Sequence, residues 1–535
     1  MLGKENNGNF LHILFVEVFN MTRKRLPIGV QTFREMREDR CYYVDKTEFA
    51  VSLVNDGKYF FLSRPRRFGK SLFLDTLKEL FEGNRSLFTG LYAEERWDWS
   101  VTYPVIRISF GGGVLGSRAD LSDSIDGQLL RHEAAAGLDG TGLSIRRRFM
   151  NLIIGLHEKT DRRVVVLVDE YDKPILDRIE DEKTAIDIRE GLKDLYSVIK
   201  DADAHIKFAF LTGVSKFSKV SLFSGLNNLL DITLESKYSA ICGYTETDVD
   251  TVFAPELEGL NRDEIRAWYN GYNWTGETVY NPFDLLLLFN SRRFRPYWFE
   301  TGTPTFLIKL LMKCQQFTPD LERIVAPETL LSTFDVGNIP VEALLFQTGY
   351  LTVDSVEYIP GRMELTLRYP NNEVKAGLND SLLGALCGSP SIPARHVGNL
   401  YRLLQSGDFS GLRTLFHTFF AGIPHQWYTG NTISQYEGFY VSVFYSYFAA
   451  LGLDIRTEDS TNHGRIDMTV IFADRVYIFE FKVMEEEPAG KAIQQIRDRG
   501  YADKYRALGI PIHLVGVEFS KTDRNIVGFD VETVY

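Results

Sequence analysis

The sequence predicts an α/β protein in three parts: a parallel sheet covered by helices, a mostly helical middle, and a smaller C-terminal α/β domain. Three observations predict it. Apolar runs at Tyr59–Ser63, Val105–Phe110, Val164–Val168 and Ile206–Leu211 alternate with helical stretches, the pattern of a parallel, helix-covered sheet. From position 240 to 325 the pattern is mostly helical with aromatic clusters. Near the end, Gly464–Phe472 and Val476–Val483 read as a hairpin, followed by a helix and a strand. With 535 residues, 44% apolar and 13% aromatic, the chain is long enough for several cores and too apolar for disorder.

The net charge of −12 carries no global nucleic-acid signature, so any such contact needs a local patch. Cys41, Cys242, Cys314 and Cys387 are far apart and show neither C-x-x-C nor zinc spacing, which fits buried thiols in a reducing, cytoplasmic compartment. No apolar run approaches the roughly 20 residues of a membrane span, so no membrane partner is expected. Leu11–Val16, with Glu17 behind it, lacks the basic start and cleavage site of a signal peptide. Residues 1–24 read as an N-terminal extension, with Met21 an equally good start.

Residues 26–58 lead into the first motif, and Tyr43–Thr47 opens a helix with Asp45 or Thr47 suited to its N-cap. The motif is Arg64-Pro65-Arg66-Arg67-Phe68-Gly69-Lys70-Ser71, set between the apolar run Tyr59–Ser63 and the helical pattern Leu72–Phe81. Strand, tight loop, helix is the setting of a phosphate-binding loop, whose backbone N–H groups and helix N-terminus face the anion. Arg66, Arg67, Gly69, Lys70 and Ser71 are then cofactor-binding residues. Lys70 reaches the β- and γ-phosphates, and the Ser71 hydroxyl is a metal ligand for Mg²⁺. The pattern G-x-x-x-x-G-K-[ST] departs at position 64, where Arg stands in place of Gly and Pro65 stiffens the turn instead.

Val164–Val168 reads as a fully buried parallel strand that ends in Asp169-Glu170-Tyr171-Asp172. Asp169 there is placed to hold Mg²⁺ through water, and Glu170 to polarise the attacking water. Alone, such a segment reads as a solvated acidic turn; beside the Lys70 loop it supports phosphoryl hydrolysis. A third strand, Ile206–Leu211, ends in Thr212-Gly213-Val214-Ser215-Lys216, and Thr212 is the candidate γ-phosphate sensor. Lys216 and Lys219 are either cationic triggers or a solvated face. No N-K-x-D or T-K-x-D guanine reader lies near these strands, so the expected nucleotide is ATP, with Mg²⁺.

Between these motifs, Gly111-Gly112-Gly113 reads as a loop and roughly 119–160 as a helical stretch returning to the Asp169 strand. In the middle of the chain, Trp268–Trp274, Tyr280–Phe283 and Tyr297–Gly302 are aromatic clusters with Asn and Gly. They read as core with hydrogen-bonded turns, with base stacking the alternative. Leu344–Val353 reads as helix end, Gly turn and strand, and with Met363–Tyr369 forms a winged-helix-like unit. Cys387–Pro393 reads as a linker.

The C-terminal hairpin carries a second constellation. Glu480 and Lys482, two apart, share one face of the second strand, and the hairpin brings Asp467 beside Glu480. Two carboxylates bind Mg²⁺ with open water positions, while a lysine orients or deprotonates the water and offsets phosphate charge. Asp467, Glu480 and Lys482 are therefore candidate catalytic residues for metal-assisted phosphodiester hydrolysis, with Asp467 and Glu480 as ligands. The bland alternative is a Glu–Lys ladder on an ordinary hairpin. Upstream, the helical Tyr436–Phe444 offers Glu437 as a further metal ligand; downstream, the helix begun by Ala492–Ile496 and running to Tyr501–Tyr505 offers Gln495, and a strand follows at Pro511–Val517.

On Tyr43–Thr47, Arg64–Ser71, Val168–Pro174, Thr212–Ser218 and the segments Trp268–Trp274 and Tyr297–Gly302, the first part resembles the AAA-ATPase-like family found widely in bacteria. Arg at position 64 matches that family's loop. The last part resembles the PD-(D/E)xK nuclease superfamily, whose Asp, Glu and Lys match Asp467, Glu480 and Lys482; its leading Pro-Asp stands here as Ile466-Asp467. The resemblance implies a P-loop NTPase sheet of the additional-strand type over 25–238, a helical lid and winged-helix-like region over 239–394, and a restriction-endonuclease-like α/β domain over 395–535. It implies an Mg²⁺-dependent ATPase coupled to a metal-dependent nuclease acting on nucleic acid, DNA foremost, with a second copy of the chain as a candidate partner. The alternative is a nucleotide-controlled switch whose nuclease-like domain only binds nucleic acid or a protein.

Overall fold

The computed structural model describes residues 23–216, 228–300, 307–308, 310–311, 318–331, 335–387, 391–423, 437–484 and 489–535. The expectations on residues 1–20, Lys219, Cys314, Thr301–Gly302 and 388–390 lie outside them. The chain divides into two compact units, one within Met1–Arg295 and Pro327–Glu364, the other within Pro296–Ala326 and Leu365–Tyr535.

The first unit is built on β1 (Tyr59–Ser63), β2 (Val105–Ser109), β3 (Val164–Asp169), β4 (Ile206–Gly213) and β5 (Leu230–Asp231). All pair in parallel, in the order β2-β3-β4-β1-β5. Every residue of β1 and β3 is buried, which is why their sequences are unbroken apolar runs instead of alternating ones. The strand β4 is inserted between β1 and β3, the additional-strand order that the resemblance implies. Register then places Ser63 beside Gly213, and Val168 beside Leu211, so the strands that carry the three motifs end together.

Two local expectations change. The stretch 119–160 is two helices, Arg118–Ala136 and Ile145–Thr160. Gly137 takes the left-handed conformation, φ 63°, and Leu138 N–H donates back to Glu133 O at 2.9 Å, a closure that stops the first helix. The helix near Thr47 spans Thr47–Asp56 with Lys46 in the cap position, yet Asp45 does the capping chemistry, its Oδ1 accepting from Thr47 N–H at 2.9 Å and from the Thr47 hydroxyl at 2.7 Å. The aromatic clusters are core: Tyr269, Tyr272, Trp274 and Tyr280 are all buried.

Ile324–Pro327 (β6) precedes the helix Val341–Thr348, which ends at Gly349, φ 91°; Thr352–Ile359 (β7) and Arg362–Arg368 (β8) follow as strands where the sequence places them. The linker reading of Cys387–Pro393 shrinks to 388–390 at most, because Asn372–Cys387 and Ser391–Ser406 are helices. Pro393 falls in the first turn of the latter, where a missing N–H costs nothing.

The second unit has a five-stranded sheet in chain order: β9 (Asp454–Thr461), β10 (Gly464–Phe472), β11 (Arg475–Val483), β12 (Ile512–Ser520) and β13 (Asn525–Val534). Only β11 and β12 pair in parallel. The edge strands β9 and β13 are polar enough to read as loops, and the sequence analysis missed both. Leu412, Phe416, Phe444 and Phe448 from the preceding helices pack on Tyr477, Phe479 and Phe481 of β11. The opposite face, Val476 and Ile478, is covered by Ile493 and Ile496 of the helix Lys491–Asp498 and by Tyr501 and Tyr505 of the turn after it. Burial on both faces explains the continuous apolar character of β11, and makes Glu480 and Lys482 exceptions within it.

Gly516 of β12 pairs with Glu480, and a Cβ there would stand 2.5 Å from the backbone nitrogen of Ile493. Only glycine lets that helix approach the sheet. Gly516→Ala is expected to destabilise the protein by about 1–3 kcal/mol, measured by denaturant titration of the full chain.

Candidate functional site

The helix Lys70–Phe81 is entered through Arg67 and Gly69, both left-handed at φ 71° and 91°. These turns curl the loop so that Lys70 Nζ donates to Arg64 O and Pro65 O, each at 2.8 Å. Burial lowers the pKa of the Lys70 ammonium, opposed by the carboxylates of Asp169 and Glu170, which places those groups within its electrostatic reach. Arg66 and Arg67 are exposed, and the Arg67 guanidinium lies 4.5 Å over the Phe283 ring.

Arg64 resolves the departure from the glycine pattern. Its side chain is fully buried and donates to Ser63 O at 2.8 Å, Thr233 O at 2.9 Å and Tyr238 O at 3.0 Å, while stacking 4.1 Å from the Trp274 ring centroid. It ties the start of the loop to two segments from the helical half of the unit. Burial brings its pKa down to about 10, which leaves it charged at neutral pH. The Pro65 stiffening expected from sequence is secondary to this anchor.

Asp169 closes β3. Its Oδ1 accepts the Thr212 hydroxyl at 2.9 Å, and its Oδ2 lies 3.6 Å from the Arg107 guanidinium, which also reaches Asp75 Oδ1 at 2.8 Å. The structure thus brings Thr212 onto Asp169. It also adds Arg107, which the sequence analysis missed, although a lone charge inside the apolar strand Val105–Ser109 was a signal. Glu170 is left-handed at φ 52°, and its carboxyl pKa is raised, chiefly by burial and then by Asp169 and Asp172, with Lys70 opposing. Lys216 forms an ion pair with Asp231 and its N–H donates to Gln347 Oε1 at 2.8 Å, so its side chain serves the fold and not a solvated face.

In the second unit the hairpin register carries Asp467 towards Glu480, and β10 is irregular at that point. Ile466 pairs with Asp459 and Met468 with Thr457, while Asp467 and Glu458 between them leave the ladder and Glu458 is left-handed at φ 48°. The sheet changes facing there: Ile466 packs with Ile478, whereas Met468, two residues on, packs with Phe479 on the opposite face. Asp467 Oδ2 then accepts the N–H of Phe481 at 2.8 Å. Glu480 Oε1 accepts from Lys482 Nζ at 3.1 Å and from the Gln495 amide, so Gln495 faces the pocket as expected. Glu480 is fully buried and Lys482 is partly buried. The Asp467 carboxyl pKa is raised by burial, with the Phe481 N–H and Lys482 opposing and Glu458 adding to the rise. Glu437 opens the helix Glu437–Ala450, but its side chain lies outside the described residues.

The donor sets fit hard divalent cations. Among the described residues no group of three or more His, Cys, Asp and Glu side chains comes together. Asp467 and Glu480 are the two carboxylates that could share a cation with water there. In the first unit a lysine, a helix N-terminus, the Ser71 hydroxyl and Asp169 match a nucleotide phosphate with its Mg²⁺. Among the described residues no helix is long and apolar enough to cross a membrane.

Comparison with known proteins agrees with this division. A family model described as Predicted AAA-ATPase matches residues 27–223, and one described as PD-(D/E)XK nuclease superfamily matches residues 435–529. An uncharacterized protein in the vnfD 5′ region of Azotobacter chroococcum mcd 1 is 63% identical over 515 residues, spanning 96% of this chain and 100% of that relative.

Restoring the glycine pattern should harm the loop. Arg64→Gly strips the Thr233 and Tyr238 carbonyls of buried donors and is expected to cost about 2–4 kcal/mol in a urea titration, with no gain in nucleotide affinity.

Proposed function

Because the chain belongs to the family of predicted AAA-ATPases that carry a PD-(D/E)XK nuclease superfamily domain, we propose that it is an Mg²⁺-dependent ATPase whose nucleotide state governs a metal-dependent DNA nuclease. The observation that carries the ATPase reading is the convergence of Lys70, Asp169, Glu170 and Thr212 at one edge of the parallel sheet. Ser71 and Asp169 would hold Mg²⁺, which would offset phosphate charge. Lys70 leaves the Arg64 and Pro65 carbonyls for the β- and γ-phosphates. Glu170 accepts a proton from water as its oxygen bonds to the γ-phosphorus and the bond to the bridging oxygen breaks, releasing ADP and phosphate. Thr212 reads the γ-phosphate position from its seat on Asp169. Arg66 and Arg67, exposed on the loop, add positive charge beside the phosphates.

The nuclease reading rests on Asp467, Glu480 and Lys482, of which Glu480 is fully buried and the other two partly so. Keeping a carboxylate fully buried beside an ammonium is costly for a fold alone. Asp467 and Glu480 would hold Mg²⁺, with Glu437 a further ligand, and Lys482 orients the water that attacks the phosphodiester. Gln495 fixes Glu480. We place the protein in the cytoplasm, with DNA as the partner of the second unit, a second copy of the chain as a candidate partner, and the helix Val341–Thr348 with β7 and β8 as the winged-helix-like part.

Lys70→Ala should lose nucleotide binding by at least about tenfold in a fluorescent-nucleotide titration. Glu170→Gln should bind nucleotide normally while turnover drops about 10²- to 10⁴-fold. Since Glu170 must be ionised and its pKa is raised above 4.5, wild-type turnover should fall as pH drops through a value above 4.5, and the Gln variant should lack that limb. Asp467→Ala and Lys482→Ala should each reduce metal-dependent DNA cleavage by at least about 100-fold in a gel assay with Mg²⁺ or Mn²⁺. Cleavage that survives both substitutions rejects the nuclease site. A folded protein that hydrolyses ATP and leaves every DNA intact is instead a nucleotide-controlled switch.

A further inference from the structure

Asp172 is a buried carboxylate that the steps above do not use. It is 1% exposed, and its oxygens accept Val214 N–H at 3.1 Å, Ser215 N–H at 2.6 Å and the Ser215 hydroxyl at 2.5 Å. All three donors come from the turn that follows β4. A carboxylate so enclosed and so filled neither reaches a phosphate nor takes a proton from water. Tyr171 grips the same turn. Its N–H donates to Thr212 O at 3.0 Å and its hydroxyl to Ser215 O at 2.9 Å, while Tyr196 donates to Tyr171 O at 3.2 Å.

Glu170 sits between this grip and the strand end at Asp169, in a left-handed conformation that costs a non-glycine residue on the order of 1–2 kcal/mol. Such a conformation persists only where the residues on both sides are held. The result is an aimed carboxylate: a Cβ on Gly111 would lie 3.4 Å from Glu170 Oε2, so the acid points across the end of β2. The approach of the turn depends on Gly213, where a Cβ would stand 2.5 Å from both Asp172 Oδ1 and the Tyr171 ring. Thr212, at the root of the same turn, donates to Asp169.

We propose that Asp172, with Tyr171, is the positioning residue for hydrolysis: it clasps the Gly213–Ser215 turn and thereby fixes Glu170 and Thr212 as one block over the γ-phosphate. This rests on the ATPase reading. It predicts a loss concentrated in the chemical step, because the clasped turn meets the Lys70 loop only at its first residue, where Arg64 N–H donates to Gly213 O at 3.2 Å.

The test uses the full chain and three variants. Asp172→Asn keeps the shape but sets an NH₂ group against the donors of the turn. Gly213→Ala opens the clasp by bulk without changing charge. Tyr171→Phe removes the bond to Ser215 O and is the variant least prone to misfold. Fluorescent ATP analogue affinity, kcat and KM are measured for each. The expected result is affinity and KM within about threefold of wild type, with kcat down about 10- to 100-fold for Asp172→Asn and Gly213→Ala. Tyr171→Phe should lose a few-fold. Unchanged kcat, or affinity that falls in step with kcat, overturns the proposal. Wild-type protein that turns over ATP, is silenced by Glu170→Gln and is indifferent to Asp172→Asn overturns this proposal alone; wild type without turnover overturns the ATPase reading and the proposal with it.

Discussion

The parallel pairing of β4 between β1 and β3 is the constraint from which the first unit follows. Because Ser63 lies beside Gly213 and Val168 beside Leu211, the three strands end at one edge. The Arg64–Ser71 loop, Asp169-Glu170 and Thr212 are far apart in the chain, and this register gathers them. Gathering charges there carries a cost: burial lowers the pKa of Lys70 and raises that of Glu170, and each opposes the shift of the other. A bound triphosphate would relieve Lys70, and a proton from water would neutralise Glu170. Structure and chemistry are linked by the same desolvation.

Part of the backbone strain falls at these sites. Among the non-glycine residues in the left-handed region, Arg67, Glu170 and Glu458 stand in the Lys70 loop, beside the Asp169 carboxylate and beside Asp467. Each is held by neighbours that are over-determined: Arg67 between Lys70's bonds to the loop carbonyls and Phe283, Glu170 between β3 and the Asp172 clasp, Glu458 within the β9–β10 irregularity. Strain at such places is retained when it aims a side chain.

The second unit solves a related problem with a different device. The register that pairs Met468 with Phe479 would, continued by one residue, set Asp467 opposite Glu480, but the regular ladder stops at Met468. The break in the ladder at Asp467 turns its carboxylate to the N–H of Phe481, next to Glu480. Gly516 then lets the helix that carries Gln495 close over the pair. Both units gather carboxylates and a lysine on their sheets without sharing a fold.

The motif residues and the strands that bear them were legible in the sequence, because a buried parallel strand must be apolar along its whole length and a phosphate loop must place its lysine at a helix start. Glu480 and Lys482 stood out for the same reason, as charges inside an apolar run. The break at Gly137 went unread because one left-handed glycine outweighed a helical pattern on both sides of it, and β9 and β13 went unread because edge strands need no apolar alternation. Tertiary structure alone decided the roles of Arg64, Arg107 and Asp172. An arginine in a loop, an arginine in a strand and an aspartate in an acidic turn look solvated in one dimension. Their partners, Thr233 O, Asp169 and the Gly213–Ser215 turn, are brought to them by strand order, and strand order is a property of long-range packing that no local stretch of sequence contains.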